Sequence, residues 1–456
     1  MNVHDHIPFM SAGLPDNIRC QQYAGNFDEA IRLIDLRLSE TNLPQCMRSS
    51  LIAYREMFRR VPAEYPYTKE QALAIMQEKI PDFTMADLER QMDLRNVRWH
   101  YINGEIHIIH NFSRTLFRVV DEVFNRVPAD PNAPATVHET DYAMAIMKKK
   151  GSMTNRFTIR QTLKLKDELF TPGMFLRAHL PVAAACNQQS DIKVERIFPE
   201  GGIVSDENAG QRSVCWELKA DENPEFVVEY SYTHKAVYKD AYHGQGLAGK
   251  YDFDLEEQAP HIVFTPYIRT LCAEITNGID DPLMKARAIY DFITTRMKYT
   301  HVPEYYCMES IAEGCARNYT GDCGVFALLF ITLCRCAGIP ARWQSGMSAT
   351  ADSAGCHDWA EFYVEPYGWM QTDPSYGVSA NRQGKQERRE FLFGNIDPYR
   401  MVANGKFQQN FEIPKQQWRA DPYDSQEGEL ETTDRGYLRY EMIRTHTTLS
   451  CEDITE

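Results

Sequence analysis

Apolar positions recur at spacings of three and four along the first 130 residues. Phe27, Ala30, Ile31, Ile34 and Leu38 make one such stripe behind Asn26, a residue type that caps helix N-termini, so a helix is expected there. Thr68 with Gln71, and Thr84 with Asp87, carry the capping-box pattern and a near variant of it, which predicts two more helix starts. Residues 97–110 then alternate around Asn103-Gly104, a strong hairpin signal. Helix, helix, hairpin is the order of a winged helix.

Between residues 130 and 242 the period falls to two. Phe157, Ile159, Leu163 and Leu165 share one face of a strand, Thr158, Arg160, Thr162 and Lys164 the other; 192–198 and 226–232 behave alike, so an all-β sandwich is expected. The Gly-rich stretch 243–250 reads as a linker. Gly244, Gly246 and Gly249 fit G-x-G-x-x-G, but Tyr251 stands where a P-loop needs Ser or Thr, and the acidic residues that follow open no apolar-periodic helix, so nucleotide binding is not expected. Helical period returns at Thr265-Pro266, and again at Asp281-Pro282 with Ala286, Ile289, Ile293 and Met297 on one face. Three units follow: a helical, winged-helix-like region over 1–130, a β-sandwich with its linker over 131–250, and an α+β unit over 251–456.

Charge and composition narrow the partners. The 456 residues hold 49 Lys and Arg against 64 Asp and Glu, a net charge of −15 that repels phosphate backbones and anionic lipid. Within 84–118, five Arg face four acidic residues, so the winged-helix-like part carries no DNA footprint and reads as a structural or protein-contact module. The longest apolar run, 325–333, spans nine residues, about half of what a membrane span needs. The first ten residues lack both a basic and an apolar stretch, and twelve cysteines at irregular spacing make no disulfide framework, so a cytoplasmic protein with reduced thiols is expected.

The chemistry concentrates between 320 and 375. Asp322 is a natural N-cap for the run 325–333, and Gly338 followed by Pro340 ends that helix, so Cys323 falls at its first position. There the helix dipole favours a thiolate nucleophile. His357 opens a strand over 357–364 with Trp359, Glu361 and Tyr363 on its face; after the Tyr367-Gly368 turn the return strand 369–373 ends on Asp373. The hairpin midpoint brings Asp373 near His357, two or three residues out of strict register, a difference that a bulge or wider turn must absorb. Thiol, imidazole and carboxylate together make a nucleophile, its base and an orienting acid.

Gly321-Asp322-Cys323-Gly324, Ala337 to Arg342, His357-x-Trp359-x-Glu361, Gly368-Trp369 and Asp373-Pro374, in that order, resemble the transglutaminase-like superfamily, and bacterial multidomain members in particular. The resemblance spans roughly 265–377. It implies a papain-like α+β core, a nucleophile helix on an antiparallel sheet, with Cys323, His357 and Asp373 as triad, and the strands after 391 as an extension of that sheet. Family members are cross-linkers, peptidases and other amide-processing enzymes that share an acyl-thioester. The Ca²⁺ dependence of animal transglutaminases does not carry over, because no acidic loop with EF-hand-like spacing is present.

Blander readings stand beside these. Cys323 as a core thiol, His357 as a strand histidine and Asp373 as a turn residue before Pro374 are each weaker than the ordered motif. Cys334 and Cys336 point to different sides and read as core thiols; Cys356, His107 and His110 read as ordinary strand residues, so no metal and no cofactor is expected. The Cys323 N–H is the expected oxyanion donor, with Tyr299 a candidate for the second. The expected activity is amide hydrolysis on a peptide or protein, with glutamine–lysine acyl transfer as alternative. A non-catalytic scaffold, contacting protein partners through the first 250 residues, is the rival from another class.

Overall fold

The computed structural model describes residues 2–127 and 138–456, so the boundary expected at 130/131 lies outside the described residues. The helix Phe27–Leu38 forms where the stripe places it, although Asn26 makes no side-chain cap. Both capping boxes close: Thr68 with Gln71, and Thr84 with Asp87. The strands Trp99–Ile102 and Glu105–Ile108 pair through Asn103 and Gly104, whose φ of 50° and 81° the tight turn requires, and Tyr67–Thr68 adds a third strand. The helix Gln45–Glu64 is tied to the far end of the chain by Arg60, which is buried, pairs with Glu56 at 2.8 Å and donates to the carbonyls of Arg419 and Ala420.

Two four-stranded sheets make the sandwich. One runs Glu429–Glu431, Met174–Pro181, Ser213–Ala220, Ile203–Val204; the other Met442–Asp453, Ser152–Leu165, Glu225–Val237, Gln189–Phe198. Phe157, Ile159, Leu163 and Leu165 lie fully buried between them, as their period of two requires. The C-terminal strands correct an expectation. Phe393–Gly394 and Arg400–Asn404 do extend the core sheet, but Glu429–Glu431 and Met442–Asp453 complete the sandwich instead. The edge of the long strand Ser152–Leu165 needs a backbone partner, and Met442–Asp453 supplies one from Leu165 to Asn155.

The core sheet is antiparallel, in the order Phe393–Gly394, Gly368–Thr372, Ala354–Val364, Ala341–Ala349, Arg400–Asn404. Against it packs the helix Cys323–Cys336, buried from Gly324 to Arg335, with Phe330 and Phe362 ring centroids 5.5 Å apart. Helices Pro266–Ile275 and Pro282–Arg296 start on Thr265 and Asp281 caps as read. The Gly-rich linker precedes no helix before Pro266; Gly246 N–H instead donates to the Asp281 carboxylate at 3.0 and 3.1 Å.

Candidate active site

The Cys323 helix begins where a short parallel bridge pairs Lys298–Tyr299 with Thr320–Gly321, which sets Tyr299 opposite Gly321 beside the helix tip. Asp322 Oδ1 accepts the Val325 N–H at 3.2 Å, so Asp322 is the N-cap and Cys323 the first helical residue, as the sequence predicts. The next residue must be Gly: a Cβ at position 324 would stand 2.1 Å from Tyr305 Oη, 2.6 Å from Asp358 Oδ2 and 2.8 Å from Trp343.

His357 and Asp373 meet. His357 Nε2 donates to Asp373 Oδ2 at 2.7 Å, both side chains buried. The register explains how. The ladder ends with Ala360 opposite Thr372, so its continuation sets Asp373 opposite Trp359, two residues from His357. No bulge interrupts this pair of strands; Asp373 reaches His357 on the diagonal, which corrects the expectation of a bulge or wider turn. Asp373 also caps the helix Pro374–Arg382, accepting from Tyr376 N–H at 2.9 Å and Ser375 Oγ at 3.0 Å through Oδ1.

Arg400 completes the support. Its guanidinium donates to Asp373 Oδ2 at 2.8 Å and to Asp397 at 3.0 Å, and lies 4.6 Å over the Tyr376 ring, whose own centroid is 4.5 Å from that of His357. Burial alone would raise the Asp373 carboxyl, but His357 and Arg400 outweigh it and hold it well below the usual carboxylate range. Burial lowers His357 from its ordinary value, which favours the neutral ring; with Nε2–H donated to Asp373, Nδ1 is the nitrogen left to accept a proton. Trp359 and Glu361 are structural: Trp359 Nε1 donates to Gln344 Oε1 at 2.8 Å, and Glu361 accepts from Arg342 at 2.7 Å.

The thiol is placed differently from expectation. Cys323 Sγ donates to Asp358 Oδ2 at 3.2 Å, and among the described residues no hydrogen bond joins it to His357. Successive strand residues point to opposite faces, so Asp358 rather than His357 is aimed at the helix tip. Asp358 accepts from Gln426 Nε2 at 2.7 Å, and its Oδ2 lies 3.2 Å from Tyr305 Oη, whose single hydroxyl hydrogen is shared with Asp322 Oδ1 at 2.8 Å. Burial and the neighbouring Asp322 push the Asp358 carboxyl up to about 7. Burial, then Asp358 and Asp322, push the Cys323 thiol up as well, against the lowering that the helix tip favours.

Cys323 and His357 both open onto one cleft of about 1110 Å³, with Tyr299 and Tyr376 on its walls. Tyr299 makes no hydrogen bond to Cys323; burial, with the facing Cys323, raises its hydroxyl. Cys334 is a buried core thiol and Cys336 is partly exposed at the other end of the helix. His107 and His110 face the backbone carbonyls of Tyr65 and Glu64. Sequence reading missed Asp358, Tyr305, Arg400 and Gln426. The Asp in His357-Asp358-Trp359 was a signal, since the period of two turns an acid there onto the helix-facing side of the strand.

Comparison with known proteins agrees with the core. Residues 269–374 match the Transglutaminase-like superfamily, so this segment of the chain is a transglutaminase-like domain. The uncharacterized protein YebA of Bacillus subtilis is 27% identical over 131 residues, covering 25% of this chain and 18% of that protein. Among solved structures, a proposed cysteine protease from Cytophaga hutchinsonii aligns with a TM-score of 0.44 at 18% identity, over 67% of this chain and 92% of that one. The periplasmic domain of TgpA from Pseudomonas aeruginosa aligns with a TM-score of 0.28 at 13% identity, over 57% of this chain and 100% of that one. The superfamily match supports a thiol-dependent enzyme. Among the described residues, no helix is long and apolar enough to cross a membrane.

Proposed function

We propose that this protein hydrolyses an amide bond of a peptide or protein through an acyl-thioester on Cys323. The observation that carries the reading is the His357–Asp373 pair at 2.7 Å on the cleft that Cys323 also enters. The thiol turns from Asp358 into the cleft and gives its proton to His357 Nδ1 as sulfur attacks the carbonyl carbon. Asp373 keeps the Nε2 proton in place and steadies the imidazolium that forms. The Cys323 N–H at the helix tip, with Tyr299 as the candidate second donor, faces the oxyanion. His357 returns the proton to the leaving amine; water then attacks the thioester, His357 takes one of its protons, and the acid leaves.

The domain reading belongs to the same proposal: the helical region and the sandwich serve as modules that contact substrate or partner proteins. The proposed setting is the cytoplasm, on the irregular cysteine spacing of the sequence. The experiment is a peptide library incubated with the wild type and with Cys323→Ala, with and without a Lys-like amine donor, read by mass spectrometry. Cleaved peptides that vanish with Cys323→Ala support hydrolysis. Amine adducts in place of acids give acyl transfer, and no Cys323-dependent product returns the protein to a scaffold.

A further inference from the structure

The chain carries a net charge of −15, yet its catalytic cleft does not share that sign: six Arg and Lys side chains line it against three carboxylates. Most of these neutralise one another. Arg382 pairs with Asp121 and Arg439 with Glu427, while Arg388 and Glu122 have partners in Asp141 and Arg90. Arg114, Arg118 and Lys298 remain, and among the described residues none of them forms an ion pair.

These three occupy one wall. Arg114 and Arg118 stand one turn apart on the helix Phe112–Val119, a like-charged pair that weakens an isolated helix. The helix is fixed against the segment before the nucleophile: Thr115 Oγ1 donates to His301 Nδ1 at 3.0 Å and accepts the His301 N–H at 3.1 Å. Arg118 lies 5.9 Å from the Tyr299 ring centroid, and Lys298 is the neighbour of Tyr299 in the bridge to the helix tip. The field is felt locally. Burial, then Arg114 and Arg118, push His301 down to about 4.

We infer that Arg114, Arg118 and Lys298 form a binding wall for acidic side chains, so that the substrate is a peptide segment carrying Asp or Glu beside the carboxamide that reaches Cys323. The substrate half of this inference rests on the hydrolase reading; the charged wall does not. Arg114, Arg118 and Lys298 are exposed along this wall, where their summed charge attracts carboxylates and a Lys-rich segment meets repulsion.

The wall is tested without knowing the substrate. Cys323 is alkylated with anionic iodoacetate and with neutral iodoacetamide at low salt, each followed by peptide mass spectrometry, in the wild type and in Arg114→Glu/Arg118→Glu. The iodoacetate-to-iodoacetamide rate ratio falls about three- to tenfold in the variant, and the wild-type ratio falls with added salt. An unchanged ratio in the variant overturns the wall, and the milder Arg114→Gln/Arg118→Gln serves if the reversal does not fold. Matched peptides with Glu or Lys flanking a common carboxamide then test the substrate class: a lower KM for the Glu peptide, lost in the variant, supports it, and equal KM values overturn it. Failure to turn over any peptide while the alkylation ratio still shifts counts against the hydrolase reading and leaves the wall standing.

Discussion

The Cys323 thiol hydrogen-bonds to Asp358, at 3.2 Å, and Asp358 is the immediate neighbour of His357 on the same strand. The resting thiol is thus held by an acid whose charge opposes the thiolate. Replacing Asp358 with Asn keeps the shape and removes the charge. Asp358→Asn is expected to lower the Cys323 thiol pKa and to speed its alkylation by iodoacetamide at pH 7 about tenfold, the effect of roughly one pKa unit on the thiolate fraction. The rate is measured on the Cys323 peptide across pH 5–10. Slower alkylation in the variant would make Asp358 itself the proton acceptor.

The same carboxyl sets a pH dependence of stability. Its folded-state value, pushed up to about 7 by burial and by Asp322, lies above the unfolded value of about 3.9. The folded chain therefore binds the extra proton between these two values, so this contribution is fully present below about pH 4 and is lost as pH rises through about 7. Thermal melts at pH 5 and pH 8 are expected to differ less in Asp358→Asn than in the wild type. A difference as large in the variant would assign the pH limb to another group.

Arg400 and Asp373 are buried partners 2.8 Å apart, and removing either has a different signature. Arg400→Met leaves Asp373 and Asp397 without their shared cation and is expected to destabilise the fold by about 3–5 kcal/mol, seen in denaturant unfolding. Asp373→Asn frees the His357 tautomer while leaving a neutral group for Arg400. It is expected to lower kcat by roughly 10² to 10⁴, the usual worth of general acid–base assistance. A full-rate Asp373→Asn would remove Asp373 from the proposed triad.

These residues also mark what the sequence can disclose. The helix start at Asp322-Cys323 was legible because cap and apolar run are local, and so was the hairpin that brings His357 and Asp373 together. The two-residue diagonal between them was read as a gap to be filled, since residue counting places strands but not the reach of side chains across them. Asp358 escaped because a period of two assigns faces without saying what lies opposite. Arg400 and Gln426 join the site from later strands and loops, and Met442–Asp453 pairs with a strand almost 300 residues earlier in the chain, where no local pattern names the partner.

Gly324 gives the sharpest steric test of how these groups depend on one another. Its Cα faces a triangle of Tyr305 Oη, Asp358 Oδ2 and Trp343, all within 2.8 Å of where a Cβ would stand. Tyr305 and Asp358 are held by hydrogen bonds to Asp322 and Gln426, and Trp343 is buried, so none of the three can yield by a simple rotation. Gly324→Ala must therefore push the helix tip away from the strand, carrying Cys323 off Asp358 and the cleft. The expected cost is about 1–3 kcal/mol of stability, in the range of an overpacked core, with a loss of Cys323-dependent turnover that exceeds what the remaining folded fraction explains. Urea unfolding beside activity per folded molecule measures both. Retained turnover at full stability would show that the helix tip need not sit where Asp358 holds it.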